Sequence, residues 1–91
     1  MKLIENNWWL SKQVRYKGNL LIVPVWTNWV ATEADGKILA FEEEPFIDGF
    51  GSGEEWWEVR GFFSELMVVG KAELESNEDW KESLIYVGEE Q

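Results

Sequence analysis

Apolar and polar residues alternate over short stretches of this chain, and the alternation predicts β-strands rather than long helices. Residues 13–16 alternate as a half-buried strand does, and residues 20–26 are an apolar run that only Pro24 interrupts. Between them lies a Lys-Gly-Asn turn signal, so we predict a hairpin that closes at Gly18-Asn19. Because proline cannot donate a hydrogen bond to a strand ladder, Pro24 indicates an edge strand or a bend.

A second hairpin carries the strongest turn signal of the sequence. We predict strands over residues 29–32 and 37–41, joined by a tight turn at Asp35-Gly36. The Asp-Gly pair tolerates the positive φ values that tight hairpin turns need. Pro45 follows and ends the second strand.

The remainder of the chain predicts three more strands and one short helix. The strand candidates are residues 56–59, 66–69 and 84–87. Asn77 is of a type that caps helices, and residues 78–84 follow it with acidic side chains at the positive end of the predicted helix. Together these elements predict a single domain over residues 1–91 of the mainly β (α+β) class, with a small antiparallel β-sheet and one or two short helices.

Several predicted strands are apolar on both faces, which bears on assembly. Successive side chains of a strand point to opposite faces, so the two rings of Trp8-Trp9, and those of Trp56-Trp57, cannot be buried in one core. Residues 20–23 and residues 38–41 are also apolar at consecutive positions. A chain of 91 residues has little material to cover both sides of a sheet. We therefore expect a helix or another protein to cover the second face, and we favour a homo-oligomer or a partner surface.

The side chains that many enzymes use as nucleophile and as general base at neutral pH are missing. The sequence has no cysteine and no histidine, which also excludes disulfides and thiolate or imidazole metal sites. Paired carboxylates remain, as in residues 42–44, but a glycosidase also needs a cleft that holds a sugar between two acids. Without EF-hand spacing, solvated acidic surface is favoured over a calcium or magnesium site. We predict a protein that is not an enzyme, with no catalytic residue, metal or cofactor.

Charge is distributed unevenly along the chain, whose formal net charge is −10. Residues 1–32 carry four basic side chains and one acidic, whereas residues 33–91 carry four basic and seventeen acidic. Such a surface repels nucleic acid and anionic membranes and speeds the encounter with a basic partner. The alternative is that the acidity only confers solubility. No apolar stretch approaches the ~20 residues that span a bilayer, and the amino terminus lacks a signal-peptide pattern, so we expect a cytoplasmic protein.

The acidic half and the tryptophans supply the candidate binding residues. Side chains two apart in a strand lie ~6.6 Å apart on one face, and phosphates of one DNA strand recur about every 3.4 Å. Glu42 and Glu44 form such a pair, and Glu73 and Glu75 would if their segment is extended, so these carboxylates could imitate alternate phosphates. An ordinary solvated strand edge is the alternative interpretation. An exposed tryptophan can anchor an interface or stack on a base or a sugar. The candidate partner-binding residues are Glu42, Glu44, Glu54, Glu55, Trp56, Trp57, Glu73 and Glu75. An alternative ligand-binding set is Trp8, Trp9, Lys12, Arg15 and Lys17.

A longer pattern runs from Pro24 to Pro45, with an apolar strand, Trp-Val-Ala, an acidic turn that ends in Asp-Gly, and Ala-Phe-Glu before the second proline. In this pattern the sequence resembles a group of small proteins encoded by tailed bacteriophages. A Trp-x-x-Ser-Leu element at residues 80–84 also matches. Where many members carry a first Asp at the turn, this chain has Glu33, which weakens any metal site there. The resemblance implies a shared fold, a phage or prophage origin and a host-interaction role, and it transfers no site residues.

Three functional hypotheses follow. The first is a phage-encoded, non-enzymatic interaction protein that binds and inhibits a basic, nucleic-acid-handling host factor, such as a defence nuclease, in the cytoplasm of the infected cell. The second is a small-ligand binder that holds a nucleotide signal or a sugar through exposed tryptophan and the basic cluster near residue 15. The third is a structural or assembly accessory of the phage. Under all three we expect no direct binding of nucleic acid or membrane.

Overall fold

Eight short β-strands and one 3-10 turn make up the part of the chain that the computed structural model describes, residues 11–61 and 63–88. In chain order these are β1 (Ser11–Tyr16), β2 (Asn19–Pro24), β3 (Trp29–Thr32), β4 (Lys37–Phe41), β5 (Phe46–Asp48), β6 (Trp56–Glu58), β7 (Leu66–Lys71), the 3-10 turn (Trp80–Glu82) and β8 (Ile85–Tyr86). They form three antiparallel sheets: β1 with β2, β5 with β6, and four strands in the order β7-β4-β3-β8. The mainly β class is confirmed.

The β3–β4 hairpin has the strand bounds that the sequence predicts. Its turn is closed by two backbone hydrogen bonds, from Glu33 N to Lys37 O at 2.8 Å and from Gly36 N to Glu33 O at 2.9 Å. Gly36 has a φ of 93°. A three-residue hairpin loop of this kind needs a left-handed residue at its end, which is where the glycine stands. The prediction of a positive φ at Gly36 is confirmed.

The β1–β2 hairpin turns one residue earlier than predicted. Tyr16 pairs with Asn19, so Lys17 and Gly18 are the central residues of the turn. Their φ values are 53° and 81°, and two consecutive positive values are typical of the turn whose twist matches two antiparallel strands. Asn19 begins β2 instead, and its side-chain Nδ2 donates to Lys17 O at 3.2 Å. Pro24 is the last residue of β2, and β2 pairs only with β1 in a two-stranded sheet among the described residues, so it is an edge strand, which is one of the two outcomes that the sequence predicts.

The central strand β4 is buried on both faces by other parts of the same chain. One face packs into a core with residues of β1 and β2, and the other into a core with Trp57 of β6. The first core contains Val14, Tyr16, Val23, Val30, Ile38, Ala40 and Val87. The second contains Ala31, Leu39, Phe41 and Trp57. The expectation that a helix or a second protein must cover residues 38–41 is therefore wrong, because the β5–β6 hairpin and the chain around it cover that face.

The predicted helix over residues 78–84 is replaced by the 3-10 turn. Its N-cap is Asp79 rather than Asn77, and the Asp79 side chain accepts from Lys81 N at 3.0 Å. Continuation as a helix would remove Ser83 from its partners on β3. The Ser83 hydroxyl accepts from Thr32 N at 2.8 Å, and the chain then enters β8. Tertiary hydrogen bonding overrides the local helix signal.

The Gly36 turn gives a test of the fold. We expect Gly36→Ala to lower the free energy of unfolding by at least ~2 kcal/mol, measured by urea denaturation. A left-handed conformation costs an L-residue about 1–2 kcal/mol, and a Cβ here would also overlap the carbonyl oxygen of Ala72. Gly18→Ala is the matched control, since Gly18 also has a positive φ but nothing lies within 4 Å of its added Cβ. Equal losses in the two variants would contradict this packing of the turn.

Candidate functional site

A cavity of about 740 Å³ opens between the β1–β2 turn, the end of β7 and the segment of residues 72–83. We call it the acidic cavity. Its volume lies within the range of about 300–1,000 Å³ that is typical of small-ligand sites. Tyr16, Thr32 and Ser83 line its floor, and Leu21, Ile38 and Leu74 contribute apolar wall. Strands and a loop that are far apart in the sequence therefore build this site together.

The floor of the acidic cavity is a buried hydrogen-bond network. The Tyr16 hydroxyl donates to Ser83 O at 3.0 Å and lies 2.7 Å from Thr32 Oγ1. Thr32 N donates to the Ser83 hydroxyl at 2.8 Å. The three residues are 3–4% exposed. Because a buried polar group costs free energy unless it is hydrogen-bonded, the network fixes β1, β3 and the 72–83 segment relative to one another.

Burial raises the pKa of Tyr16 above its ordinary value, and the nearby negative charge of Glu78 raises it further. The hydrogen bonds with Thr32 and Ser83 act in the opposite direction. The Tyr16 hydroxyl is therefore protonated at neutral pH and serves as a donor. Glu78 itself lines the same cavity.

The rim of the acidic cavity carries more negative than positive side chains. Four carboxylates line it, against the two ammonium groups of Lys17 and Lys71. The four are Glu73, Glu78, Asp79 and Glu82. Backbone amides hold two of them: Glu78 Oε1 accepts from Glu75 N at 2.8 Å, and Asp79 Oδ1 accepts from Lys81 N at 3.0 Å. The rim therefore favours a cationic group over a phosphate.

The carboxylate pairs predicted on strands are not formed. Glu42 and Glu44 follow β4, which ends at Phe41, and lie in an irregular segment. Asn28 accounts for this ending, because its Nδ2 donates to Glu42 O at 3.0 Å where a strand partner would otherwise bond. Glu42 Oε1 also accepts from Glu65 N at 3.2 Å. The prediction that Glu42 and Glu44 form a strand pair is wrong.

Glu73 and Glu75 likewise lie beyond the end of a strand. The last hydrogen bond of the ladder runs from Ala72 N to Gly36 O at 2.7 Å, and β7 ends at Lys71. A turn then forms in which Glu78 N donates to Glu75 O at 2.9 Å. Both glutamates are exposed, and Glu73 is one of the rim carboxylates of the acidic cavity. An imitation of regularly spaced phosphates along a strand is therefore not present in this segment.

The second tryptophan doublet divides as the strand geometry predicts. Trp57 is 7% exposed, and its Nε1 donates to Thr32 O at 2.9 Å, so it belongs to the core. Trp56 is 40% exposed, and its ring packs against the backbone of Gly49, which follows the paired strand β5. Of the two, Trp56 is the one available to a partner.

The two neighbouring acids, Glu54 and Glu55, differ in their contacts. Glu54 is exposed in the loop between β5 and β6. Glu55 Oε1 lies 2.6 Å from Lys81 Nζ, and this ion pair links the loop to the 3-10 turn. The hydrogen bond with Glu55 is the main cause of the raised pKa of Lys81. Glu54 is therefore an exposed candidate for partner binding, whereas the Glu55 carboxylate is already paired with Lys81 of the same chain.

The alternative ligand-binding set is not brought to one point. Lys12 and Arg15 lie three positions apart on β1, so they project from opposite faces of that strand. Lys17 lies in the turn and lines the acidic cavity. Trp8 and Trp9 fall outside the described residues.

One exposed apolar surface was not predicted. Leu66, Met67 and Val68 of β7 are 47%, 48% and 54% exposed. Their consecutive apolar pattern suggests a buried strand, but β7 is the edge of the four-stranded sheet. The register between β4 and β7 shifts at Ile38/Leu39, and such bulges interrupt the hydrogen-bonding edge. Only the order of the strands reveals this surface, and no local signal in the sequence does.

Among the residues that the structure describes, no three His, Cys, Asp or Glu side chains are grouped as a potential metal site. Within the same residues, no helix has the length and apolar character to cross a membrane. A scan of protein-family models finds no match to this chain, and searches of curated proteins and of solved structures find no similar protein.

The floor network gives a second test. We expect Tyr16→Phe to lower the free energy of unfolding by ~1–3 kcal/mol, because Ser83 O loses its donor and the Thr32 hydroxyl loses a buried partner. Tyr86→Phe is the control, since Tyr86 is 45% exposed and retains its ring contact with Trp29. We expect a change within ~0.5 kcal/mol there. If chemical denaturation gave the same loss for both variants, the floor network would not contribute to stability.

Proposed function

We propose that this chain is a non-enzymatic interaction protein that binds a basic partner protein, and that the partner is a nucleic-acid-handling host factor inhibited by the binding. The observation that carries the proposal is the acidic cavity, which four carboxylates of residues 73–82 line together with several apolar side chains. The exposed apolar residues of β7 support the same role, because large exposed apolar surface on a small protein commonly marks an interaction site.

Composition favours binding over catalysis. The chain supplies neither histidine nor cysteine, so a general base or nucleophile would have to come from carboxylates, lysines or hydroxyls. The Tyr16 hydroxyl is hydrogen-bonded to Ser83 O and Thr32 Oγ1, and the Ser83 hydroxyl is hydrogen-bonded to Thr32 and to Trp80 O. A rigid, hydrogen-bonded floor of this kind is suited to holding a partner group rather than to transferring protons.

The nature of the partner follows from charge. Proteins that handle nucleic acids neutralise phosphates with lysine and arginine, so their binding sites are basic. A surface rich in carboxylates is complementary to such a site and accelerates association with it. The resemblance to phage proteins supports a host target, and an inhibitor of a defence nuclease would meet both requirements. A self-associated form, with β7 as one contact, remains part of this proposal.

The first experiment is affinity capture of host proteins. The purified chain is immobilised and exposed to bacterial lysate at low salt, and bound proteins are eluted with rising salt and identified. We expect a basic nucleic-acid-binding protein whose activity the free chain inhibits. Recovery of a nucleotide or sugar with the purified chain, and of no basic protein, would favour a small-ligand function. Recovery with phage virion proteins would favour an assembly role.

Association kinetics with the captured partner give the quantitative test. Exposed charges are screened over about 8–10 Å at physiological salt, so we expect the association rate to fall by about tenfold between low and physiological salt. Glu73→Lys with Glu75→Lys should act mainly on the association rate, and Trp56→Ala mainly on the dissociation rate. If Lys17→Gln abolished binding and the glutamate variants left it unchanged, an anionic ligand would be indicated instead.

A further inference from the structure

The acidic cavity combines an apolar wall with a charged rim, and this combination defines the kind of group that fits. Leu21, Ile38 and Leu74 contribute apolar surface on the way to the floor. Gly70 leaves room beside two of them: a Cβ at this position would lie 3.6 Å from Ile38 Cδ1 and 3.9 Å from Leu21 Cδ1. The glycine therefore leaves the space of a Cβ beside two apolar side chains that an aliphatic stem can contact.

The rim then requires a positively charged end group. Its four carboxylates outnumber the two lysines. The ion pairs that Lys37 and Lys81 form are made with Asp35 and Glu55, so they do not use the rim carboxylates. The amides that bond Glu78 and Asp79 fix the position of those carboxylates without neutralising their charge.

We propose that the acidic cavity binds an arginine side chain of the partner protein, with the guanidinium beside a carboxylate of residues 73–82 and the aliphatic stem on the apolar residues that line the same cavity. This inference rests on the proposed function. Arginine is the side chain whose stem packs along apolar surface while its end group stays polar. Its planar guanidinium can pair with one carboxylate through two donors at once, whereas a lysine ammonium is a single compact charge.

The same chemistry explains how binding would inhibit a nucleic-acid-handling partner. An arginine that contacts phosphate is exposed and uncompensated in the free partner. Held in the acidic cavity, it cannot reach a phosphate, so nucleic acid and this chain compete for one side chain. The rim carboxylates substitute for phosphate by charge, with no need for the regular spacing of a nucleic-acid strand.

The test uses the full chain, labelled with ¹⁵N, and a short blocked hexa-arginine peptide as the probe. Titration followed by NMR should shift the amide signals of Thr32, Gly70 and Ser83 more than those of β5 and β6. A peptide with citrulline in place of arginine has the same shape without the charge, and we expect no measurable binding. A hexa-lysine peptide should bind about fivefold more weakly. Equal binding of the citrulline peptide, or tighter binding of the lysine peptide, would overturn the assignment.

Two variants separate the cavity from general electrostatic attraction. Glu78→Gln keeps the oxygen that accepts from Glu75 N but removes the charge, and it should weaken hexa-arginine binding about fivefold. Glu43→Gln makes the same change of net charge at an exposed residue that does not line the cavity, and it should have an effect below about twofold. Gly70→Leu adds a side chain beside Leu21 and Ile38 without a change of charge and should also weaken binding, provided that the ¹⁵N spectrum remains that of the folded chain. If Glu78→Gln and Glu43→Gln were equivalent, or if the folded Gly70→Leu variant bound normally, the cavity would not be the binding site.

Failure of this inference can be distinguished from failure of the proposed function. A captured basic partner that binds the wild type and Glu78→Gln equally would overturn the arginine site while leaving a basic partner in place. Absence of any basic partner would overturn the proposed function, on which the inference rests.

Discussion

Burial of β4 on both faces is the constraint on which the rest of the structure depends. Ile38 and Ala40 enter one core, and Leu39 and Phe41 enter the other, because successive residues of a strand point to opposite sides. The two hairpins that flank the sheet are held by these two cores. Each large apolar side chain that is fully buried, such as Phe41, contributes on the order of 1.5–3 kcal/mol. In a chain without disulfides, the stability therefore depends on a central strand whose two faces pack in two different cores.

The same arrangement creates the acidic cavity. Tyr16 belongs to the first core through its ring, while its hydroxyl reaches Thr32 and Ser83 at the cavity floor. The segment of residues 72–83 leaves β7, carries the rim carboxylates and returns to β3 through Ser83. The core is thus continuous with the floor of the cavity, and the charges are placed on an element whose two ends are fixed. Backbone amides hold the carboxylates of Glu78 and Asp79, which is consistent with binding that depends on pre-positioned charge.

Local features of the fold could be predicted from the sequence, and long-range ones could not. The β3–β4 hairpin was predictable because the Asp-Gly turn and the flanking apolar residues act within a few positions. The short strand β5 has three residues and no distinct pattern, so its role as cover for the second core was not foreseen. The helix prediction failed because a hydrogen bond between residues 51 positions apart, Ser83 and Thr32, competes with the local signal.

The candidate site, too, could be predicted from the sequence only where local features determine it. The preference for a basic partner came from composition, and the exposure of one ring of the Trp56-Trp57 doublet came from strand geometry. The cavity depends on contacts between β1, β3 and residues 72–83, which no spacing in the sequence indicates. Glu78 and Glu82 therefore had no signal that set them apart from the other acidic residues, and Leu66 to Val68 could be recognised as an exposed edge only from the order of the strands.

The most direct test of the account is hydrogen exchange of the chain, measured alone and with its captured partner. The central claim is that the partner contacts the acidic cavity and the adjacent edge strand. We predict that the amides protected from exchange on binding are concentrated in β7 and residues 72–83, with little change in the β5–β6 hairpin. Protection confined to the outer face of β1 and β2, with unchanged exchange in residues 72–83, would contradict it.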